Sequence, residues 1–593
     1  MAPSHALALV RVQAKRWQGY MQAGLLSREI GLTPGCRRCP KSGRQHRRQR
    51  YREPPADPAR SKNPCMRGVS MRENREVPRS PAGLITGGPL REGHGCTPEM
   101  NEHGKSDSPV VPAKPPNKAP AAEVVEERGL AEGNTDDPTR PGRSAGQGVP
   151  SGLDRVRQVA RRDKDARFTA LLHHVDLDRL RAAYVAINPK ATTGVDGVTW
   201  GAYGQELEAN LEDLHQRVHS GRYRARPTRR AYIPKADGRM RPLGVAALED
   251  KILQRAVVEV LNAVYDEDFL GFSYGFRPGR SPHDALDALA VGIRQKKVNW
   301  VLDADIRDFF TSLDHDWLER FLEHRIADRR MLRLIRKWLK AGVIEQGSWS
   351  ETLVGAPQGA SASPLLANVY LHYVFDRWVR QWRRRNARGD LIAVRFADDF
   401  VCGFEHLGDA KQFLNDLRER LTKFGLELHP DKTRLIEFGR YAAKNRSARG
   451  LGKPETFDFL GFTHICAKGK KGGFWLRRIT ISKRLRTKLK QIKDQLRRRR
   501  HLPVPEQGRW LESVVRGHLA YYAVPGNDRA LRAFRTEVSR YWLRSLRLRS
   551  QRHRLTWGRM NRLIARWLPP PRILHPYPDV RFAVRTQGRS PVR

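Results

Sequence analysis

Apolar positions fall into two regimes along this chain. Over residues 1–150 no apolar period is sustained, and stretches such as KSGRQHRRQRYREPPADPARSKNP and VVPAKPPNKAPAAEVVEERG predict a disordered, basic, Pro- and Gly-rich extension. From Leu153 the run LDRVRQVARRDKDARFTALLHHVDLDRLRAAYVAI has helical spacing and ends at Asn188-Pro189, which predicts two helices. Turn chemistry follows at Asp196-Gly197. RRAYIPKADGRMRPLGV then predicts two short strands joined at Asp237-Gly238, and Ala247 to Val264 is helical again. NWVLDADIRDFF is a buried strand running into a helix. In LIAVRFADDFVCGFEH, Ile392, Val394 and Phe396 alternate before Asp398-Asp399, and Val401, Gly403 and Phe404 continue after it, which predicts a hairpin with the acidic pair at its tip. Helices alternate with short strands to about residue 481, an α+β pattern of helices on an antiparallel sheet. Beyond Ser482, Leu485, Leu489, Ile492 and Leu496 mark a helix that packs one face and covers the other with arginine.

Charge sharpens this picture. The 593 residues hold 111 Lys and Arg against 63 Asp and Glu, a net +48, which excludes an ordinary metabolic enzyme and points to a polyanionic partner. With 13 Trp, 15 Tyr and 20 Phe the chain is not a basic tail throughout. Residues 483–566 alone carry 24 Lys and Arg against five Asp and Glu, a net +19, interleaved with Trp510, Tyr521, Tyr522, Phe534, Tyr541, Trp542 and Trp557. Arg497, Arg498, Arg499, Arg500, Arg516, Tyr521 and Tyr522 are candidate RNA-binding residues, charge meeting phosphates and rings meeting unstacked bases. No apolar run approaches the 18 or so residues of a membrane span, and MAPSHALALVRVQAKRW breaks into charge too early for a signal peptide. Six cysteines give no disulfide framework, and the Cys36–Cys39 pair lacks neighbours for a zinc site, Cys65 and Cys96 lying far off. These features predict a cytoplasmic protein without a membrane partner. Met100 opens a more ordinary lead-in, which leaves open whether residues 1–99 are translated.

The carboxylates carry the sharpest chemistry. Asp305 closes a buried apolar strand, where a charge is costly unless it is paired or binds cations. Asp303, Asp308 and Asp314 are rivals, but Asp305 is followed by Ile306, Phe309 and Phe310, which puts an aromatic five residues on where it can wall a sugar pocket. With Asp398 and Asp399, the set fits a pair of hard divalent ions serving in-line phosphoryl transfer.

Taken in order, VLDADIRDFF, GAPQGASASPLLANVYLH, VRFADDFV, LHPDKTRLIEFG and FDFLGF resemble the successive blocks of group II intron-encoded reverse transcriptases. Upstream, RRAYIPKADGRMRPLG, LEDKILQRAVVEVL and FSYGFRPGRSPHDAL resemble the fingers blocks of that family, and RGHLAYYAVPGN resembles its maturase segment. The resemblance covers about residues 150 to 580. It implies a right-hand polymerase: an N-terminal extension with fingers over 151–295, a palm over 296–481, a helical thumb and maturase domain over 482–580, and a tail at 581–593. It implies that Asp305, Asp398 and Asp399 hold two Mg²⁺, and that Arg229, Lys235 and Arg241 clamp the triphosphate. Phe310 would exclude a 2′-hydroxyl, Gln358 would contact nucleotide or template, and Lys432 and the Phe459–Phe462 segment would hold the palm and grip the primer end. The implied partners are intron RNA, target DNA and deoxynucleoside triphosphates in a nucleoid-associated bacterial ribonucleoprotein. A homodimer is left open.

Two departures stand out. Phe396 replaces the usual Tyr at the tip, and ASAS follows Pro357-Gln358-Gly359 where the family usually has Gly and bulky apolar residues. The chain stops 18 residues past His575 without a further Cys pair or His-Asn-His constellation, which resembles relatives that lack a DNA endonuclease domain and take a host-made primer. The implied function is copying intron RNA into DNA and assisting its splicing. A reverse transcriptase of a defence or diversity-generating element, and a splicing-only maturase, are the alternatives.

Overall fold

The helical spacing after Leu153 becomes two helices, Gly152–Arg162 and Leu177–Ala186, in a computed structural model that describes residues 152–234, 240–352, 354–469, 472–552 and 554–586. All of these belong to one compact unit, and the four N-terminal cysteines lie outside the described residues. Asp176 caps the second helix by accepting from the Arg179 amide, as an aspartate in the N-cap position should.

The expected antiparallel sheet is realised as three sheets, one of which contains a parallel pair. The basic hairpin is β1 (Thr228–Pro234) against β2 (Met240–Val245), with the turn between them outside the described residues. Short strands β4 (Val343–Glu345) and β5 (Ser348–Ser350) extend it in the order β2-β1-β4-β5, β1 and β4 running parallel. The central sheet has the order β6-β7-β3-β8, from β3 (Trp300–Asp305), β6 (Leu391–Phe396), β7 (Asp399–Phe404) and β8 (Arg434–Glu437), all antiparallel. A third sheet, β11-β10-β9, comprises β9 (Phe457–Phe459), β10 (Phe462–Lys468) and β11 (Phe474–Thr480).

Period-two alternation decides what each face of the central sheet meets. Leu302, Ala304, Leu391, Ala393 and Phe400 join a core with the Leu248–Asp268 helix and the Ser363–Leu371 helix. On the other face Val301, Ile392, Val394 and Val401 join a second core with the Pro282–Gln295 helix and with Phe457, Phe459 and Phe462 of the third sheet. NWVLDADIRDFF does not run straight from strand to helix: a 3₁₀ turn at Phe309–Thr311 intervenes, entered through Asp308 in the left-handed region, and the helix begins at His315.

The four leucine and isoleucine positions after Ser482 lie on one helix, Ser482–Arg498, with Leu489, Ile492 and Leu496 buried against the helices Val504–Tyr522, Asp528–Arg547 and Trp557–Trp567. Trp542 fills the middle of this third core, and its Nε1 donates to Gln507 Oε1 at 3.0 Å. Gln507 in turn donates to the carbonyls of Arg499, Arg500 and Leu502. Trp542→Ala is expected to cost about 3–5 kcal/mol, the range for a large buried aromatic plus the cavity it leaves; a thermal melt would read this, and an unchanged midpoint would show that the helices do not depend on it.

The last described helix, Pro578–Thr586, returns to Pro282–Gln295. Arg294 forks onto Asp579 at 2.6 and 2.7 Å. Asp287, 1% exposed, receives Arg581 and, at 2.9 Å, Arg478 of β11, so one buried carboxylate ties three segments together. No helix among the described residues is long and apolar enough to cross a membrane.

Candidate active site

Antiparallel register builds the site from β3 and β7. Asp305, the last residue of β3, lies directly opposite Asp399, the first of β7, so both carboxylates leave the same face of the central sheet. The acidic pair does not share the tip of its hairpin: Phe396 pairs with Asp399, leaving Ala397 and Asp398 as the two turn residues. Ala397 has φ +59°, a left-handed conformation costly for a residue with a Cβ. Asp303, two residues before Asp305, faces the same side and meets Arg434 at 3.6 Å. Asp308 and Asp314 are drawn elsewhere, Asp308 to the entry of the 3₁₀ turn and Asp314 to cap the His315–Glu323 helix through the Trp317 amide.

Electrostatics make this a cation-seeking cluster. Burial, then the nearby charge of Asp305, pushes Asp398 up to about 6. Asp399 is driven well above the usual carboxylate range by burial and by Asp303, Asp305 and Asp398 together. Asp303 is pushed up to about 7, burial outweighing the pull of Arg434. Carboxylates crowded in this way ionise fully only with cations among them. Protein cations supply part of that charge: Lys432 pairs with Asp305, Arg241 lowers Asp398, and Arg484, at the start of the Ser482–Arg498 helix, lowers Asp399. Among the described residues no three His, Cys, Asp or Glu side chains are close enough to cage an ion unaided. The all-oxygen donors of Asp305, Asp398 and Asp399, with Lys432 seated at the first of them, nonetheless suit a hard divalent cation.

Loops tie the neighbouring residues to the carboxylates. The Ala356 amide donates to the Phe310 carbonyl at 2.7 Å, and the Gly244 amide donates to the Gln358 carbonyl at 2.8 Å. Gly359, at φ +115°, passes so close that a Cβ would stand 3.0 Å from the Gly244 oxygen. Phe310, half-buried, stands edge-on to Phe309. The His429 amide donates to the Asp305 carbonyl at 2.8 Å, which sets the loop that carries Lys432.

The remaining candidates lie apart. Arg229 donates to the Thr193 carbonyl at 2.8 Å and so anchors the base of the basic hairpin, whereas Arg241, exposed on β2, is within electrostatic reach of Asp398. Lys235 lies outside the described residues. Arg497 and Arg498 are exposed at the far end of the Ser482–Arg498 helix, about 20 Å from Arg484 at 1.5 Å per residue. Arg499 stacks over Trp510, and Arg516 pairs with Glu512. Tyr521 and Tyr522 are half-buried: Tyr521 donates to the Leu460 carbonyl at 2.7 Å, and both rings pack on Phe462, joining the basic helices to the third sheet.

Sequence reasoning did not single out Arg395, Asp376, Asn368 or Ser273, which lie beneath the acidic turn. A charged residue in the otherwise apolar run Leu391–Phe396 is the signal that could have found the first of them.

Comparison with known proteins bears on this arrangement. A family model described as reverse transcriptase (RNA-dependent DNA polymerase) matches residues 233–464. Protein YkfC of Escherichia coli (strain K12) is 35% identical over 252 residues, 37% of this chain and 66% of that protein. The group II intron-encoded protein LtrA of Lactococcus lactis subsp. cremoris is 33% identical over 235 residues, 39% of each chain. A putative COX1/OXI3 intron 1 protein of Saccharomyces cerevisiae is 26% identical over 325 residues, 47% of this chain and 38% of that one. The chain thus spans less than two thirds of the length of each of these relatives. The facing aspartates of β3 and β7 fall inside the matched segment, so the site lies in a reverse transcriptase domain that is similar to those of group II intron-encoded proteins.

Proposed function

We propose that this protein is an RNA-directed DNA polymerase that copies intron RNA into DNA and, as a maturase, binds that RNA to assist its splicing and its insertion into target DNA. The observation that carries the reading is Asp305 facing Asp399 across β3 and β7, with Asp398 in the adjoining turn. In this reading the β2-β1-β4-β5 sheet belongs to the fingers, the central sheet to the palm, and the helices after Ser482 to the thumb. Asp305, Asp398 and Asp399 would hold two Mg²⁺, which would supply charge neutralisation at the reacting phosphate and a more acidic attacking hydroxyl. The primer 3′-hydroxyl gives up its proton to solvent as its oxygen bonds to the α-phosphorus of a deoxynucleoside triphosphate, and the bond to pyrophosphate breaks.

The chain's own residues orient these reactants. Arg241 and Lys235 clamp the triphosphate by charge, with Arg229 fixing the hairpin that carries them. Phe310 walls the sugar against a 2′-hydroxyl, and Gln358, laced to β2 through Gly244, sets the floor beneath the base pair. Lys432 and Arg484 balance the carboxylates from two sides. Arg497 to Arg500 and Arg516 grip intron RNA away from the reacting centre.

Primer extension with a DNA primer on an RNA template, Mg²⁺ and deoxynucleotides tests the polymerase. Product from the unmodified chain is expected; no product under conditions where the protein still binds and folds an intron RNA would leave a splicing-only maturase. The raised carboxylates give the reaction a pH dependence. As pH falls through about 6, Asp398 takes up a proton, and Asp399 is held higher still, so the Mg²⁺ concentration for half-maximal rate is expected to rise on the acid side. A metal requirement that is flat from pH 5.5 to 8 would remove these groups from the metal set.

A further inference from the structure

On the face of the central sheet opposite the carboxylates, one arginine lies beneath the turn that carries them. Arg395 of β6 is 0% exposed, and its guanidinium is fully engaged. Nε and Nη2 fork onto Asp376 at 2.7 and 2.6 Å, Nη2 also donates to Ser273 Oγ at 2.8 Å, and Nη1 donates to Asn368 Oδ1 at 3.0 Å. The last bond goes to the turn itself: Nη1 donates to the carbonyl of Ala397 at 3.0 Å. That is the residue in the left-handed conformation, immediately before Asp398.

Three features aim this arrangement at the turn. Asp376, also 0% exposed, ends a π-helical turn, His372–Asp376, between the helices Ser363–Leu371 and Arg377–Arg385. Its neighbour Arg377 is exposed, so the wide turn delivers the carboxylate to the sheet and leaves the next charge in solvent. Asn368, one turn before the π segment, donates to the Gly275 carbonyl at 2.7 Å while accepting from Arg395. Gly275 lies so tightly on the turn that a Cβ there would sit 2.4 Å from the Ala397 nitrogen. The segment Phe272–Tyr274 completes the seat by exchanging backbone hydrogen bonds with Arg395 along the open edge of β6.

We propose that Arg395 and Asp376 are a positioning pair for the nucleotidyl-transfer site, setting the height of the Ala397-Asp398 turn so that Asp398 and Asp399 meet Asp305 in metal-binding geometry. Neither residue touches the reacting groups; both act through the turn. A buried ion pair is a weak source of net stability but a strong constraint on geometry when every donor and acceptor is matched. A strained turn persists only where its surroundings over-determine it, and here the guanidinium, Gly275 and the edge segment do so. The proposal rests on the polymerase reading above, and its test separates the two.

Two variants are compared with the unmodified protein and with Asp398→Ala. Arg395→Met combined with Asp376→Leu removes both charges at similar volume and deletes the bond to Ala397; Asp376→Glu keeps the charges and displaces the guanidinium by one methylene. Each is assayed for folded fraction by circular dichroism, for Mn²⁺ binding by loss of the free-ion electron paramagnetic resonance signal, and for single-nucleotide incorporation. Per folded molecule, both variants are expected to bind Mn²⁺ at least severalfold more weakly and to incorporate about 10²-fold more slowly, the usual consequence of displacing a catalytic group by about 1 Å. KM for the deoxynucleotide is expected to change little. Mn²⁺ affinity and rate that fall only in proportion to the folded fraction, or stay within twofold of the unmodified protein, overturn the proposal. If the unmodified protein binds Mn²⁺ but extends no primer, the polymerase reading fails while the Mn²⁺ comparison still decides whether the pair positions the carboxylates.

Discussion

Asp398→Ala is expected to lower primer extension at least about 10³-fold, equivalent to roughly 4 kcal/mol of lost transition-state stabilisation, while intron-RNA binding stays within a factor of two. Folding should not suffer. Asp398 is held above the usual carboxylate range by burial and by Asp305, and Asp399 further still by Asp303, Asp305 and Asp398 together. Removing one member relieves its neighbours, so the melting temperature without divalent ions is expected to hold or rise. This combination, a dead polymerase that is no less stable, is what a site built for bound cations predicts. A fall in melting temperature that tracked the loss of synthesis would instead make Asp398 part of the scaffold. Equal loss of RNA binding would show that catalysis and RNA grip are not separable.

The complementary experiment leaves the carboxylates alone. Replacing Arg497, Arg498, Arg499 and Arg500 with glutamine is expected to weaken intron-RNA binding about 10²-fold at physiological salt and to reduce the slope of log affinity against log salt by about 3, near 0.7 for each phosphate no longer neutralised. Extension of a short primer on a short template should change little, because these residues lie at the far end of the Ser482–Arg498 helix and just beyond it, about 20 Å along the helix from Arg484, whose charge reaches Asp399. The helix itself is expected to persist, since Leu489, Ile492 and Leu496 hold it from the other face. An unchanged salt slope would move the RNA grip elsewhere on the basic helices. Arg516, tied to Glu512, is the next residue to test.

How much of this was legible in the sequence depended on whether a feature was local. Strand alternation in WVLDAD and LIAVRF exposed β3 and β6, and the helical spacing of Leu485, Leu489, Ile492 and Leu496 exposed the basic helix, because one covered face leaves a periodic trace. The strand separates Asp305 from Asp308 and Asp314: Asp303 and Asp305 share one face of β3, and Asp305 pairs with Asp399. Register was not legible. It moved Asp399 off the hairpin tip into β7, and it divided the sheets three ways, since pairing between segments about a hundred residues apart leaves no period in either. Tyr521 and Tyr522 show the same limit from the other side. Aromatics beside arginines suggest a stacking surface, yet these two rings are drawn onto Phe462 of the third sheet, a partner that no local pattern announces. Arg395 was hidden because its meaning depends on Asp376, which reaches it only through a π-helical turn.

The buried carboxylate of Asp287 also orders events during synthesis. Its two arginine partners are added late, Arg478 after 191 further residues and Arg581 after 294. At ribosomal speeds of about 5–20 residues per second, the wait for the second is roughly 15 to 60 s. Through that interval the Pro282–Gln295 helix can form, but the face that receives the Pro578–Thr586 helix stays open to water, with apolar Ala285, Leu286 and Leu289 close by in the same helix. A chain that ends before Arg581 has its acidic turn complete but leaves the buried Asp287 with one of its two arginine partners, Arg478.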